Sequence, residues 1–257
     1  MTIDRAAELL LEARRARRPR GPLPEDCTPA DLAAAYAVQD RFVAGQGRPV
    51  GWKIGYTNPV LQRALGIPSP VFGRLLEGRV WTSGAALPAS DFATRVIETE
   101  VGVRMARALP PRTAPWSPEE VAEAVECVFP SFELVDSRFV DWRKLSPLEA
   151  VADNVLHSGW VHGPARADFR ALDLAGLEMV SFRNEREVTR GRGAAVLGSP
   201  LLALHWLANA LAQRGRGLGA GDLVTTGCAT DIFEAAPGDR VRADFGPLGE
   251  VRVEFRA

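Results

Sequence analysis

The sequence predicts an α+β fold in which a β-rich body follows a short helical segment. Strand-like runs are concentrated after residue 49, whereas helix-like segments lie before it and between the strands. No repeated strand–helix–strand unit with a glycine-rich first turn is visible, as a doubly wound α/β protein would have. A chain of 257 residues can form one large domain, or a core domain with a helical appendage. We therefore divide it into an N-terminal helical segment, 1–48, and a β-rich domain, 49–257.

The N-terminal segment is predicted to contain two helices. The first covers roughly residues 3 to 18 and ends in the basic run RRARRPRGP, where cations suit the helix dipole and proline and glycine stop the helix. The second is predicted to start at Thr28-Pro29-Ala30-Asp31, which offers a cap and a proline at the first helical position. The apolar side of the first helix consists of Leu9, Leu10, Ala13 and Ala16.

Three later helices are predicted from serine–proline pairs. Ser117-Pro118 and Ser146-Pro147 are each followed by a glutamate at the position that completes a capping box. Ser199-Pro200 opens the apolar segment LLALHWLANALAQR, which Gly215 ends.

The predicted strands are short runs with β-branched residues or alternating polarity. Asn184-Glu185 is a candidate hairpin turn, and the segment 246–250 is a candidate connection between the last two strands. The runs are GWKIGY, RVIETEVGVRM, VFPSFELVD, LEMVSFRN, DLVTTG, RVRADF and EVRVEF.

Bulk composition limits the partners of the protein. The net charge is −1, so no overall field recruits nucleic acid or anionic lipid. No apolar run is expected to reach the roughly 20 residues that a membrane span needs. Asp4, Glu8 and Glu12 argue against a transit peptide, and the three widely spaced cysteines indicate a reducing compartment. We expect a cytoplasmic protein without nucleic-acid or membrane partners.

Two glutamates lie side by side in the run RVIETEVGV. Because residues two apart in a strand point the same way, Glu98 and Glu100 share a face, and Gly102 is expected to clear space beside them. In PSFELVDSR, Glu133 also lies opposite an apolar face. A strand with one face in water explains a Glu-x-Glu pair more often than a metal does. A third carboxylate from a second strand changes those odds, because three would repel each other unless a cation neutralised them.

The ligand type indicates which cation would bind. Oxygen-only ligands favour a hard ion, Mg²⁺ or Mn²⁺. No histidine is spaced to compete, since His157, His162 and His205 lie on or just after predicted helices and are interpreted as surface or satisfied core residues. The sequence therefore predicts a metal site made of the three glutamates.

A lysine in GWKIGYTN, residues 51 to 58, is the second candidate for chemistry. Lys53 shares a strand face with Gly51, Gly55 and Thr57, and the glycines are expected to give it unusual room. It is either a ligand-facing ammonium or an exposed lysine on a half-buried strand, and this segment alone favours the exposed lysine.

Taken together, these segments resemble the fumarylacetoacetate hydrolase superfamily, in particular its branch of 2-keto-4-pentenoate hydratases and 4-oxalocrotonate decarboxylases. GWKIGYTN is similar to the branch's G-x-K-x-G-x-T, and PSFELVDSR to its [AP]-x-[FIL]-E-[IV]-x-D. RVIETEVGV is similar to its R-[IV]-E-x-E strand with one inserted or shifted residue. GAAVLGSPLLALHWLAN, GDLVTTGCA and GDRVRADFGPLGEVRVEF resemble its late helix, T-G loop and C-terminal hairpin. The matches follow in order over nearly the whole chain.

The resemblance implies a β-rich mixed roll, like the C-terminal domain of fumarylacetoacetate hydrolase, that encloses a metal held by Glu98, Glu100 and Glu133. It implies that Lys53 is catalytic beside this metal, that 49–257 is the catalytic domain, and that the chain forms a homo-oligomer. The substrate-binding residues that it implies are Thr57, Asp136, Thr226 and Gly227.

The sequence departs from the branch at several positions. Hydratases commonly carry P-D-[FY]-G after the lysine strand, but here Val71 replaces the acid, and decarboxylases tend to be apolar there. Cys228 follows the T-G pair in place of Ser or Thr and is a poorer hydrogen-bond donor. The usual E-x-E-[IVL]-A-F reads Glu100-Val101-Gly102-Val103. The branch lacks the catalytic histidine of the C–C hydrolases, and nothing in this sequence clearly restores it.

These residues predict a metal-dependent lyase that acts on an enolisable 2-oxo acid. A hydratase that adds water to a 2-oxo-4-enoate, in catabolism of the aromatic meta-cleavage type, is the first hypothesis. A 2-oxo-3-hexenedioate decarboxylase of the 4-oxalocrotonate type is the alternative that Val71 favours, and a catalytically silent partner subunit of such a lyase is a further one. Burial near a cation is expected to lower the pKa of Lys53, which would let it relay protons.

Overall fold

The computed structural model describes residues 2–257. It contains six α-helices: α1 (Ile3–Ala16), α2 (Leu32–Ala44), α3 (Pro59–Leu65), α4 (Pro118–Glu123), α5 (Pro147–Ala152) and α6 (Pro200–Ala212). The strands are β1 (Pro49–Gly55), β2 (Val71–Leu76), β3 (Val80–Thr82), β4 (Ala85–Pro88), β5 (Val96–Met105), β6 (Val125–Val135), β7 (His157–His162), β8 (Glu178–Arg183), β9 (Arg186–Arg192), β10 (Leu223–Thr225), β11 (Phe233–Glu234), β12 (Arg240–Asp244) and β13 (Glu250–Arg256).

The strands form two mixed sheets, which confirms the predicted α+β class. The larger sheet has eight strands in the order β2-β1-β10-β5-β6-β7-β3, and the short β11 pairs with β5. The smaller sheet has five strands in the order β4-β13-β12-β8-β9. Parallel pairs occur where β1 meets β10, β3 meets β7 and β4 meets β13, and the other pairs are antiparallel.

The larger sheet curls until β2 approaches β7, and this curling makes the predicted roll. Asn154, just before β7, closes the gap: its side chain accepts a hydrogen bond from Arg74 N at 2.7 Å and donates one to Arg74 O at 3.0 Å. One face of the sheet is therefore enclosed within the roll. The opposite face packs on the smaller sheet and on α6 to form the main hydrophobic core, which includes Trp52, Val103, Phe132, Val253 and Leu207.

The helix caps are partly as predicted. Ser117 and Glu120 form a complete capping box, and the hydroxyl of Ser146 accepts a hydrogen bond from Glu149 N. The predicted start of the second helix is wrong by three residues. Asp31, not Thr28, is the N-cap of α2, because the carboxylate of Asp31 accepts from Ala34 N at 2.8 Å while the hydroxyl of Thr28 donates to Pro24 O.

The hairpin predictions are confirmed, whereas several elements have no counterpart among the predicted ones. Asn184 and Glu185 both have positive φ, as a two-residue hairpin turn requires, and they join β8 to β9. The segment 246–250 joins β12 to β13. The elements that sequence reasoning missed include α3, β2 and β7, and both of these strands line the closure of the roll.

One apolar stretch is longer than expected from the sequence. By length and composition alone, Gly193–Ala212 could cross a membrane. Only its last 13 residues form α6, however, and a helix of that length spans about 20 Å, short of the roughly 30 Å of a bilayer core. Leu204, Leu207 and Leu211 are buried in the main core, so α6 is a core helix of the folded body.

Candidate functional site

Three glutamates meet on the enclosed face of the larger sheet. The register pairs Glu98 on β5 with Glu133 on β6, and Glu100 with Ser131. One carboxylate oxygen from each glutamate lies within 4.8 Å of the corresponding oxygens of the other two. Like charges directly opposite in a sheet are destabilising, so this register would be unfavourable without a cation or bound protons.

Glu133 is held through one of its two oxygens. Its Oε1 lies 2.9 Å from Lys53 Nζ and 3.0 Å from His157 Nδ1. Its Oε2 is buried and has no hydrogen-bond partner among residues 2–257. One oxygen of this carboxylate is therefore fixed by donors, and the other remains available to a ligand.

Glu100 repeats this arrangement on the neighbouring strand. Its Oε2 accepts hydrogen bonds from the hydroxyl of Thr225 and, at 2.7 Å, from Gly227 N. Its Oε1 is buried without a partner in the part of the chain that the structure describes. The T-G loop after β10 thus anchors the second carboxylate.

These residues fit a divalent cation. Two free buried oxygens, a third carboxylate on half-buried Glu98 and a surplus of negative charge form a donor set that Mg²⁺ or Mn²⁺ prefers. Lys53 is the one ammonium in contact with this cluster among the described residues, and it contacts only Glu133.

Burial and charge shift the pKa values in the cluster in opposite directions. Burial raises the pKa of Glu98 to about 7, and burial with the charges of Glu133 and Glu98 raises the pKa of Glu100 well above its usual range. Burial would also raise the pKa of Glu133, but Lys53 and His157 together lower it. Burial lowers the pKa of His157 despite its bond to Glu133. The pair between Lys53 and Glu133 is thus the ionised centre of the cluster.

The structure contradicts two expectations about Lys53. Its side chain is 2% exposed and donates to Val155 O at 3.2 Å, so it has neither unusual room nor a solvent-facing position. Burial lowers the pKa of Lys53, but the negative charges of Glu133, Glu98 and Glu100 outweigh burial, and its pKa is raised. This direction holds for the protein groups alone, because three carboxylates face one ammonium. The predicted lowering assumes a bound cation and stays a prediction.

Gly102 was expected to clear space beside the glutamates, but in the structure a tryptophan ring occupies that space. A Cβ on Gly102 would lie 2.3 Å from the indole of Trp160, so Gly102 admits this ring rather than a ligand. Trp160 packs with Leu75, Cys127 and Phe129 in an apolar cluster inside the roll. The glutamates therefore lie beside buried apolar side chains, and this low-polarity surrounding strengthens the electrostatic interactions within the cluster.

The residues of the T-G loop have distinct positions. Gly227 has a φ of 114°, and a Cβ there would lie 2.3 Å from Thr57 Oγ1, so only glycine brings the loop against Thr57. Thr226 donates its hydroxyl to Val101 O at 2.8 Å and is fully buried. Cys228 Sγ donates to Thr230 O at 3.2 Å. Of the loop groups, Gly227 N is thus the one that contacts a glutamate carboxylate.

The structure does not bring Asp136 to the glutamates. Its Oδ1 accepts from Thr94 N at 2.8 Å, and its Oδ2 lies 3.6 Å from Arg14 Nη1 on α1. As the residue after β6, it is three positions from Glu133 and faces the opposite way, as odd spacing in an extended chain requires.

Sequence reasoning missed His157. It was interpreted from the sequence as a surface or core residue, and it is buried. It lies at the start of β7, a strand that was not predicted, and pairs in register with Val135 on β6. Recognising HSGWVH as a strand next to β6 would have placed an imidazole beside Glu133.

Comparison with known proteins identifies the family of the chain. The model of the family described as fumarylacetoacetate (FAA) hydrolase, C-terminal, matches residues 71–256. A 2-keto-4-pentenoate hydratase of Paraburkholderia xenovorans (strain LB400) is 33% identical over 258 residues, covering 99% of this chain and 95% of the relative. A 2-hydroxyhexa-2,4-dienoate hydratase of Comamonas testosteroni is 32% identical, with coverage of 98% and 97%.

A solved structure has the same fold over nearly its full length. It is the 4-oxalocrotonate decarboxylase from Pseudomonas putida G7 complexed with magnesium and adipate, with a TM-score of 0.91, 30% identity and coverage of 98% of this chain and 97% of that one. The matched family model, the full-length relatives and the shared roll lead to one conclusion: this chain belongs to the fumarylacetoacetate hydrolase family.

Proposed function

We propose that this protein is a divalent-metal-dependent lyase that acts on enolisable 2-oxo acids, and that its reaction is the hydration of a 2-oxo-4-enoate. The observation that carries the proposal is the pair of buried glutamates, Glu100 and Glu133, which each keep one oxygen free beside Glu98. The hydratases at about one-third identity over the full chain support this reaction class.

In this proposal the three glutamates hold Mg²⁺ or Mn²⁺. When bound, such a cation polarises the keto oxygen and carboxylate of a 2-oxo acid as a Lewis acid, an effect worth several kcal/mol. Glu100 is kept in place by the loop after β10, and Glu133 by Lys53 and His157.

Lys53 is the proposed proton carrier. Its ammonium is buried, donates to Glu133 Oε1 and to Val155 O, and can donate a third hydrogen bond to a substrate. Thr57 and Gly227 form the adjacent wall, and we retain both as substrate-binding candidates together with Thr226. Asp136 is left out because its oxygens are bound to Thr94 and Arg14.

A decarboxylase is the second candidate, and Val71 is the residue that favours it. Val71 pairs with Gly55 across β1 and β2, so this apolar side chain lies beside Lys53 where branch hydratases commonly carry an acid. An apolar wall near the reacting carbons would suit loss of CO₂, a step that needs no water.

The direct test is to incubate the purified enzyme with Mg²⁺ and 2-hydroxypenta-2,4-dienoate and to follow the loss of dienol absorbance. We expect turnover that EDTA abolishes. Release of CO₂ from a 2-oxohexenedioate, without turnover of the dienoate, would reverse the order of the two candidates. Metal binding without turnover of either substrate would favour a narrower or unrelated substrate, whereas purified protein that binds no metal would favour a catalytically silent partner subunit.

We further propose a homo-oligomer in the cytoplasm, serving aromatic catabolism of the meta-cleavage type. Light scattering coupled to size exclusion measures the first property, and a single species at 27.8 kDa would contradict it.

A further inference from the structure

The imidazole of His157 makes one side-chain hydrogen bond, and the chemistry of its partner determines which atom is the donor. Its Nδ1 lies 3.0 Å from Oε1 of Glu133, and the histidine is 4% exposed. An ionised carboxylate can only accept, so Nδ1 must carry the hydrogen. Its Nε2 is buried and has no partner among residues 2–257.

The backbone around His157 is fixed from the side away from the glutamates. Arg138 Nη1 donates to His157 O at 3.5 Å. Arg14 donates to the hydroxyl of Ser158 at 2.7 Å and to Ser158 O at 3.4 Å. Two arginines outside the carboxylate cluster thus hold the start of β7, the strand end from which the imidazole reaches Glu133.

Lys53 and His157 both donate to the same oxygen of Glu133, but they suit different tasks. An ammonium on a flexible stem can turn toward a substrate, whereas an imidazole on a fixed strand has only two side-chain torsions. If Lys53 leaves Oε1 during turnover, His157 is the donor that remains.

We propose that His157 is a positioning residue of the metal centre: its Nδ1–H holds Oε1 of Glu133 and so reserves Oε2 for the cation. This inference rests on the metal centre of the proposed function. It assigns His157 no contact with the cation, because no nitrogen of His157 belongs to the group of ligand atoms within 4.8 Å of one another in the described chain.

The test compares two substitutions by titration calorimetry of Mn²⁺ into metal-free protein. His157→Asn keeps an N–H donor near the position of Nδ1, and His157→Leu keeps volume but removes the donor. We expect the leucine variant to bind Mn²⁺ about 10–100-fold more weakly, as for other residues that orient metal ligands. The asparagine variant should stay close to the wild type. Thermal unfolding without metal checks that both variants fold.

The outcomes separate this inference from the function on which it rests. Wild-type protein that binds no Mn²⁺ would overturn the metal centre itself. Wild-type binding that His157→Leu leaves unchanged would overturn only the role of His157. A second measurement needs no variant: ¹⁵N NMR of the wild-type imidazole should show the proton on Nδ1, and a proton found on Nε2 alone would contradict the proposal even if the leucine variant did not fold.

Discussion

Two groups of buried charge lie on opposite sides of the end of β6, and only one of them is balanced. The inner cluster consists of Lys53, Glu98, Glu100 and Glu133, with three carboxylates and one ammonium. The outer cluster consists of Arg14, Asp136, Arg138 and Asp153, with two of each sign.

Their carboxylate oxygens show the same contrast. In the outer cluster, Asp153 accepts from the side chain of Arg138 through one oxygen and from Arg138 N through the other. Asp136 accepts from Thr94 N through one oxygen and faces Arg14 with the other. In the inner cluster, two oxygens have no partner among residues 2–257.

The presence or absence of a partner for each carboxylate oxygen distinguishes the structural cluster from the candidate metal site. A buried carboxylate whose oxygens are all satisfied needs no further ligand, whereas a buried oxygen left free needs a ligand to offset its desolvation. A count of acidic residues alone would not distinguish Asp136 from Glu133, although they are three residues apart. The accounting of donors to each oxygen does.

The largest expected difference between the two clusters is in metal binding, and Glu98→Gln tests it. Removing one anionic ligand should abolish Mn²⁺ binding at micromolar metal and lower kcat/KM by about 10³-fold or more, since several kcal/mol are lost and each 1.4 kcal/mol is tenfold. The matched change in the outer cluster, Asp136→Asn, should leave Mn²⁺ affinity intact. Equal Mn²⁺ affinity in Glu98→Gln and wild type would break the comparison.

The next largest effect belongs to the outer cluster and concerns stability. Arg138→Met leaves the carboxylate of Asp153 buried without its guanidinium, and breaking a buried pair in this way costs about 3–5 kcal/mol in the free energy of unfolding. Urea denaturation measures it. The double variant Arg138→Met/Asp153→Leu should recover much of the loss, and no recovery would mean that the two side chains stabilise the fold independently.

A third prediction concerns the stability that the protein gains when Mn²⁺ binds to the inner cluster. At a Mn²⁺ concentration 100 times its dissociation constant, the free energy of unfolding should rise by about 2.7 kcal/mol, because the ion binds only the folded protein. Urea denaturation with and without Mn²⁺ measures this. Glu98→Gln should show no rise at the same concentration. A similar rise in both proteins would place the ion elsewhere.

The sequence was sufficient to predict that the three inner glutamates lie together, but it did not predict the side chains around them. Alternation along RVIETEVGV and PSFELVDSR placed the three glutamates on shared faces, and the capping box at Ser117 fixed a helix start. These features depend on residues two to four apart. Local patterns therefore predicted them correctly.

The missed features depend on contacts between distant segments. His157 reaches Glu133 through the register of two strands, and Trp160 fills the space at Gly102 across the sheet. Asp136 is drawn to Arg14, a residue 122 positions earlier, and not to the nearby Glu133. No local spacing encodes such pairings, although the family resemblance supplied the order of the segments.

The smallest effect tests whether the segment 1–48 is separable from the body, as the two-part division of the chain proposes. Arg14 on α1 reaches Ser158 on β7 and Asp136 after β6, and it is largely buried. Arg14→Met keeps the apolar stem but removes both contacts, so the free energy of unfolding should fall by about 1.5 kcal/mol, the lower end for hydrogen bonds to charged groups.

Arg15 is the matched control for this change, because it is exposed and its side chain makes no hydrogen bond or ion pair within residues 2–257. Arg15→Met should alter the free energy of unfolding by less than about 0.5 kcal/mol. If the two variants unfold alike in urea, Arg14 contributes nothing to the attachment of α1, which then rests on the apolar contacts of Ala6 and Leu10. If only Arg14→Met loses stability, the helical segment is part of the support behind β7, because Asp136 is then left buried with one oxygen free, as in the inner cluster but without a cation to offset it.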